Sequence, residues 1–436
     1  MAGISSAMNL LDKDLEVFIL ESGNHIGGRM YSLDKPFGQW TIDNGQHVMM
    51  GAYHNFLELL DRLGTRHNLN FIDPLRVPFI SPGGTMDLLT AKSGMGKLGI
   101  FAGIIKMKHL SIRSKILILI PLMRILLGLH PAQSASALDF LKSSLQSKEL
   151  ITRFWEPVIY ATLNSAPADC AAELIFSVMK KAFLGSPADS SLIIPAVPLS
   201  SLLAPIETYL NDRGGKILFN SRVANVIIKD KKVEALMTEN GSLIEADAFI
   251  FAIPPDNLLK IIPEDISKIH PFTNLSVYSY SSIISAYFIF DRELTSESFL
   301  AIINSDIQWI FNCNKLMKTG TQGQNYLYTV TISGANKFRE LSNVEISVLI
   351  LSELMKIFPA AGRLKPLKSK IIFNRKATVH LNSETMMIRH KSDTAIDNMF
   401  LAGDWTKSAL PATLESAAIS GKHSASLLFD YIKSKP

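Results

Sequence analysis

Glu21 closes an apolar run, Leu15-Glu16-Val17-Phe18-Ile19-Leu20-Glu21, and Gly27-Gly28-Arg29 follows it. A carboxylate at the carboxyl end of such a run can accept hydrogen bonds from both hydroxyls of a ribose. Paired glycines let the backbone approach a ligand closely, and an arginine after them can neutralise a pyrophosphate. Asp43-Asn44-Gly45-Gln46-His47 comes next, a small polar cluster leading straight into Val48-Met49-Met50. Asp43 and His47 are the candidate acid pair, with a structural role for His47 equally open. Near the end, Met399-Phe400-Leu401-Ala402 runs into Gly403-Asp404-Trp405, and Pro411-Ala412-Thr413 stands where a long helix starts. A helix start offers free N–H groups and a positive dipole end, suited to negative charge on a ligand. Cys170 and Cys313 are the only cysteines and lie far apart, so neither a disulfide framework nor a zinc site is expected, and no metal is assigned.

These residues need elements to hold them. Residues 2–11 read as a helix with small residues, Gly3, Ser5, Ser6 and Ala7, where it would meet a sheet and a phosphate. A Rossmann dinucleotide site has a first strand, a G-x-G-x-x-G turn, a helix aimed at the pyrophosphate and a second strand ending in Asp or Glu. Gly3 stands at the third glycine, and Glu21 lies eighteen residues on, near the usual ~20. The expectation is a nucleotide-binding unit whose first strand and first two glycines are missing, restored by about ten upstream residues on ordinary strand lengths. Strand 15–21 should be covered by helices on both faces. Further on, the pattern predicts a helix over 53–63, a helix capped by Ser200 or Ser201 and stopped by Gly214-Gly215, strands over 216–229 and 233–238, and a buried strand at 247–252 closed by Pro254-Pro255. Strands 276–290 and 326–332, with Trp309-Ile310-Phe311 between them, suggest an antiparallel sheet in a second domain. A helix over 345–358 and a last helix from about Pro411 to Ile432 complete the reading.

The fold class is therefore α/β: a Rossmann-like, glutathione-reductase-like nucleotide-binding domain, its first strand truncated, with an α+β substrate domain carrying an antiparallel sheet and membrane-facing helices. The first domain is assigned to 1–74, 200–265 and 393–436, the second to 75–199 and 266–392. At 47% hydrophobic and 19% charged residues the chain is globular. Its net charge of +5 is uneven: residues 88–138 contain no Asp or Glu and seven cations, Lys92, Lys97, Lys106, Lys108, Arg113, Lys115 and Arg124, leaving the rest at −2. One basic region argues against nucleic acid and for a local surface. Between Lys97 and Leu129 single cations interrupt apolar blocks too often for a bilayer span, as in helices lying in a membrane interface. No signal peptide opens the sequence, and the expected location is cytoplasmic, peripheral on the inner face of the cell membrane.

Together the strand–Glu, Gly-Gly-Arg, Asp247-Ala248-Phe249-Ile250-Phe251-Ala252-Ile253-Pro254-Pro255 and Ala402-Gly403-Asp404-Trp405 resemble the flavin amine oxidase and carotenoid desaturase superfamily. Asp43 to His47 continuing to Gly51-Ala52-Tyr53, Trp155-Glu156-Pro157, Ala161-Thr162-Leu163-Asn164, Gln308-Trp309-Ile310-Phe311 and Leu410-Pro411-Ala412-Thr413-Leu414-Glu415 are similar to the hydroxysqualene dehydroxylases, the squalene-associated FAD-dependent desaturases. The resemblance runs from Ala2 to about Ser426. It implies FAD, held by Gly3, Glu21, Gly27, Gly28, Arg29, Gly45, Val223 (through its backbone, at the adenine), Gly403, Asp404, Pro411, Ala412 and Thr413. It further implies reductive removal of the hydroxyl of hydroxysqualene, a C30 isoprenoid, to give squalene for hopanoid or sterol synthesis. The substrate would enter from the membrane through the Lys97–Leu129 segment, and contact with earlier enzymes of the squalene pathway is a further expectation. A carotene-type desaturase and a non-catalytic isoprenoid-binding protein remain alternatives. Arg389-His390 stands where Arg-Pro would be expected before the last strand.

Overall fold

Helix Ala2–Leu11 forms over the span its sequence predicts. It crosses the last helix, Leu414–Lys433, at close range. Ser5 Oγ donates to the Ala418 carbonyl at 2.7 Å and Ser6 Oγ to that of Gly421 at 3.0 Å. A Cβ on Gly421 would fall 2.3 Å from the Ala2 carbonyl oxygen, so glycine is what lets the two backbones touch. The computed structural model describes residues 1–38, 40–91, 98–183, 185–318 and 325–435; Lys92 and Lys97 of the basic segment lie outside them.

Two parallel ribbons flank this helix pair. Val17–Leu20 pairs with Gly215–Leu218, and Phe249–Phe251 pairs with Met399–Leu401. No ladder joins the two ribbons among the described residues. The expected double burial of the first strand is not met: Phe18 is 50% exposed, and Val17, Ile19 and Leu20 are only half-buried. The alternation of its environment comes from tertiary packing, which an unbroken apolar run does not encode. The expected strand 216–229 is two strands. Gly215–Leu218 joins the parallel ribbon, while Val223–Lys229 pairs antiparallel with Lys232–Thr238. Between them Asn220 takes a left-handed conformation (φ 51°), a turn residue hidden inside an apolar pattern.

The largest sheet has seven strands in the order Lys368–Val379, Tyr280–Phe290, Tyr326–Ser333, Trp309–Asn312, Phe299–Ile302, Arg76–Ser81, Thr85–Thr90. All neighbours are antiparallel except Phe299–Ile302 with Arg76–Ser81, so the sheet is mixed rather than purely antiparallel. Strand residues alternate faces. Ile284, Ala286, Phe288, Tyr328, Val330 and Ile332 pack under helix Asn343–Ile357. Tyr287, Ile289 and Leu327 point the other way, towards Phe37, Trp40 and Ile42. That second face continues through Phe311 and Phe299 into the largest core cluster, which includes Ile100, Ile104, Ile118, Leu122 and Ile125.

The basic segment folds as three short helices, Leu98–Lys106, Ile112–Leu117 and Leu119–Leu126. Asp87 pins the first junction by accepting the Lys108 and His109 amides at 2.6 and 2.9 Å. Their outer surface keeps large apolar side chains in solvent, Ile112 at 78% and Leu127 at 67% exposure, with Ile105, Ile116 and Leu126 beside them. No helix among the described residues is long and apolar enough to cross a membrane.

Candidate functional site

Gly27 (φ 112°) and Gly28 (φ 62°) turn the chain so that Arg29 points inward. A Cβ on Gly27 would sit 2.4 Å from the Met30 carbonyl oxygen. Arg29 Nη2 donates to both carboxylate oxygens of Asp404 at 2.7 Å, and Nη1 donates to the Ala377 carbonyl at 3.0 Å. Burial works against the guanidinium charge, but the charge and hydrogen bonds of Asp404 more than offset it, and the Arg29 pKa is raised. Asn44 Nδ2 donates to the Arg29 carbonyl at 2.8 Å, which fastens the polar loop to this corner. Glu21 follows the strand it was expected to close and accepts the Gly23 amide at 2.8 Å. Val223 opens its strand opposite Thr238. Gly3 lies against Ala252, where an added Cβ would approach the Ala252 Cβ to 3.2 Å.

Gly403 leaves the Met399–Leu401 strand with its amide on Ser420 Oγ at 3.0 Å, and a Cβ there would strike the Trp405 indole at 2.5 Å. The turn that follows is built around a buried arginine. Arg389 donates to the carbonyls of Asp404 (2.8 Å), Ser408 (2.7 Å) and Leu410 (2.9 Å). Burial pulls its pKa down to about 10, still far above neutrality. Pro411 and Ala412 lead to Thr413, which caps the last helix: its Oγ1 accepts the Ser416 amide at 3.2 Å, and its amide donates to Ser416 Oγ at 2.9 Å. Pro411 therefore lies outside the helix, which starts after the Thr413 cap and not at about Pro411 as expected. Glu415, in the first turn, is buried and accepts from the Phe56 amide at 2.9 Å and from Asn55 Nδ2 at 2.8 Å. It closes the amino end of helix His54–Arg62, whose own cap residue contributes no side-chain bond.

Asp43 is held by one oxygen. Its Oδ1 accepts Ser32 Oγ at 2.7 Å and the Leu199 amide at 2.9 Å, so it caps the short helix Leu199–Leu203. No hydrogen bond from a described residue reaches Oδ2. Burial pushes the carboxyl up to about 6, against the opposing pull of Leu199 and Ser32. The expected serine cap is replaced here: Ser200 lies inside that helix and exchanges bonds with Ser32 at 2.8 and 3.0 Å. Burial, with the charge of Arg29 second, holds His47 down at about 4, so its imidazole is neutral. No hydrogen bond joins His47 to Asp43, although both share the loop. Gly45 lies between them, and a Cβ on it would come to 3.2 Å from Ser285 Oγ.

The structure thus pairs Arg29 with Asp404 and ties the Asn44 side chain to the Arg29 backbone. Glu21 and Val223 stand at strand ends, and Thr413 at a capped helix start. Sequence reasoning missed Arg389 as the organiser of the turn, Glu415 as a cap and Ser32 as the partner of Asp43. Arg389 had a signal in its place just before the last strand; Glu415 acts on a partner far away in sequence, and Ser32 meets Asp43 only through a two-residue ladder that no pattern announces.

The family model for flavin containing amine oxidoreductases matches residues 1–428. A 15-cis-phytoene desaturase from an Oncidium hybrid cultivar is 25% identical over 460 residues, covering 99% of this chain and 77% of its own. The hydroxysqualene dehydroxylase of Zymomonas mobilis is 25% identical over 436 residues, with 99% and 97% covered, and that of Sinorhizobium fredii 23% identical over 433 residues, with 98% and 96% covered. Among solved structures, an oxidoreductase from Methanosarcina mazei superposes with a TM-score of 0.75 at 16% identity, covering 97% of each chain. Cyclohexylamine oxidase from Brevibacterium oxydans superposes at 0.69 and 13% identity, covering 99% of this chain and 98% of its own.

Proposed function

Because the chain belongs to the flavin containing amine oxidoreductase family and so is an FAD-dependent oxidoreductase, we propose that it removes the hydroxyl of an allylic isoprenoid alcohol of the hydroxysqualene class. Its residues fit FAD. Glu21 can take the ribose, Arg29 the diphosphate, and the Thr413-capped start of a 20-residue helix the anionic edge of the ring. Bound FAD in its reduced form supplies a hydride.

The observation that carries the reading is Asp43. Dehydroxylation breaks a C–O bond, delivers a proton to the departing oxygen to make water, and forms a C–H bond with the hydride. It needs an acid, whereas desaturation of a hydrocarbon has no leaving group to protonate. Asp43 is anchored through Oδ1, leaves Oδ2 uncommitted, and is shifted to about 6, where protonated and ionised forms both exist near neutrality. His47, held neutral, adds no second positive charge beside Arg29. The near-complete length match to two hydroxysqualene dehydroxylases supports the same reading.

The apolar outer surface of residues 98–126, with Lys106, Lys108, Arg113 and Lys115 among its exposed isoleucines and leucines, suits an anionic lipid surface. A C30 isoprenoid dissolved in that surface would meet the core cluster that those helices share with Phe311 and Phe299. The test is to supply the FAD-loaded protein with hydroxysqualene and a reductant, and separately with phytoene and an electron acceptor. Squalene in the first reaction is the expected product. Desaturated phytoene in the second with no squalene in the first would assign it to hydrocarbon desaturation instead.

A further inference from the structure

Among the described residues, four buried side-chain atoms that need a hydrogen bond have none: Asn44 Oδ1, Ser285 Oγ, Thr331 Oγ1 and Asn312 Oδ1. Two of the four belong to one place. Ser285 and Thr331 are directly paired across neighbouring strands. They lie on the face that carries Tyr287, Ile289 and Leu327, because the residues alternating with them, Ile284, Ala286, Val330 and Ile332, belong to the opposite core. Directly opposed side chains stand about 5 Å apart. Gly45 covers Ser285, and Asn44 is its neighbour in the chain. An unpaired buried hydroxyl is costly because it gives up its bonds to water without replacing them, and native interiors carry few of them. Two facing each other at the joint between the loop of Asp43 and the sheet imply a polar partner that the chain itself does not provide.

Chemistry narrows that partner. The same sheet face continues from Thr331 to its cross-strand neighbour Trp309 and on to Phe311 and Phe299, whose rings stack and tilt against one another. A ligand lying along it meets aromatic surface over most of its length and hydroxyls at the Gly45 end. An alcohol hydroxyl donates once and accepts twice, so it can serve two serine- or threonine-type hydroxyls together. A hydrocarbon would leave both unpaired. Gly45 carries no side chain, so only its backbone stands between Ser285 Oγ and the Asp43 loop.

We propose that Ser285 and Thr331 form a hydroxyl-recognition pair that selects an isoprenoid alcohol over the corresponding hydrocarbon and places its C–O bond beside the Asp43 loop. This rests on the isoprenoid-alcohol reading above and names the residues that would make the choice.

The experiment measures binding of hydroxysqualene and of squalene, in matched detergent micelles, to the FAD-loaded protein, to S285A, to T331V and to the double variant. The wild-type protein is expected to prefer the alcohol by at least about tenfold, as two hydrogen bonds allow. Each single variant should lose most of that preference, and the double variant should bind both ligands alike. Squalene affinity, flavin content and the flavin spectrum should stay unchanged, since removing unpaired hydroxyls costs the fold little. A double variant that still prefers the alcohol overturns the pair's role. A flavin spectrum shifted in the ligand-free variants overturns it too, because the hydroxyls would then serve the cofactor. If wild type converts hydroxysqualene to squalene while the variants keep its preference, only this inference fails. If wild type neither converts the alcohol nor prefers it, the functional reading fails with it.

Discussion

Replacing Asp43 by Asn separates the two oxygens of its carboxyl. In D43N the amide oxygen can still accept from Ser32 and Leu199, while the position of Oδ2 becomes an NH2 with no acidic proton. Burial lifts the wild-type carboxyl from an ordinary 3.8 to about 6 in the folded protein. At about 1.36 kcal/mol per pH unit, that displacement is worth about 3 kcal/mol. The folded value lies above the unfolded one, so the folded chain binds this proton more tightly. The contribution is complete below pH 3.8, declines as the pH rises through about 6, and is gone above it. Asn does not titrate. Urea denaturation of both proteins across pH 3 to 7.5 should therefore show wild type losing about 3 kcal/mol relative to D43N as the pH rises, the difference between the two curves cancelling the other titrating groups. If Asp43 is the acid, D43N should keep its flavin and lose about 10²–10⁴ in kcat on hydroxysqualene. A stability difference that is flat with pH would refute the burial argument. Full turnover by D43N would refute the catalytic one.

Arg389→Gln should destabilise the protein by at least about 3 kcal/mol and empty it of flavin, because carbonyls of the 404–410 turn lose a charged donor in a buried setting; thermal denaturation and the bound flavin absorbance measure both. Glu415→Ala strands the Phe56 amide and should cost about 1–3 kcal/mol, with Glu415→Gln milder because it keeps an acceptor, read from the melting temperatures. Gly27→Ala meets the Met30 carbonyl at a positive φ and should lower stability by about 1–3 kcal/mol and weaken flavin retention, measured by flavin titration of the stripped protein. Exchanging exposed Ile112 and Leu127 together for Asp should abolish co-sedimentation with anionic lipid vesicles while leaving the circular dichroism spectrum and the melting temperature unchanged.

Local signals carried much of the fold. Small residues and apolar spacing mark the helix Ala2–Leu11, and the strand Tyr326–Ser333 is legible from its β-branched and aromatic residues. Boundaries failed where a strand changed partner or the chain changed conformation without changing composition. Residues 216–229 divide between two sheets at Asn220, and Phe272–Val277 winds as a 3-10 helix before the strand that begins at Tyr280. The polar break Asn220-Ser221-Arg222 is short enough to pass for the exposed face of one strand, and Phe272–Val277 keeps apolar residues throughout, so periodicity registers neither event. The exposure of Phe18 is a fact about neighbours, not about its own segment.

The candidate site divides along the same line. Gly27, Gly28, Arg29 and Asp404 stand in short motifs because a turn, a close approach and an anion each need a particular residue at a particular step. What those motifs leave out is the polar accounting that holds them. Asp404 sits where it does because Arg389 gathers the carbonyls of residues 404, 408 and 410, and the last helix meets helix His54–Arg62 because Glu415 closes that helix's open end. Asp43 shows why this matters for function. From sequence it is one of two candidate acids, with His47, in a polar loop. In the structure a serine and a helix start hold one of its oxygens, and no bond from a described residue reaches the other. A carboxylate bonded through both oxygens would be a fastening, and one bonded through neither would have no fixed direction. Asp43 is anchored on one side only, which is the arrangement a positioned acid requires, and none of the groups that create it lies within its own motif.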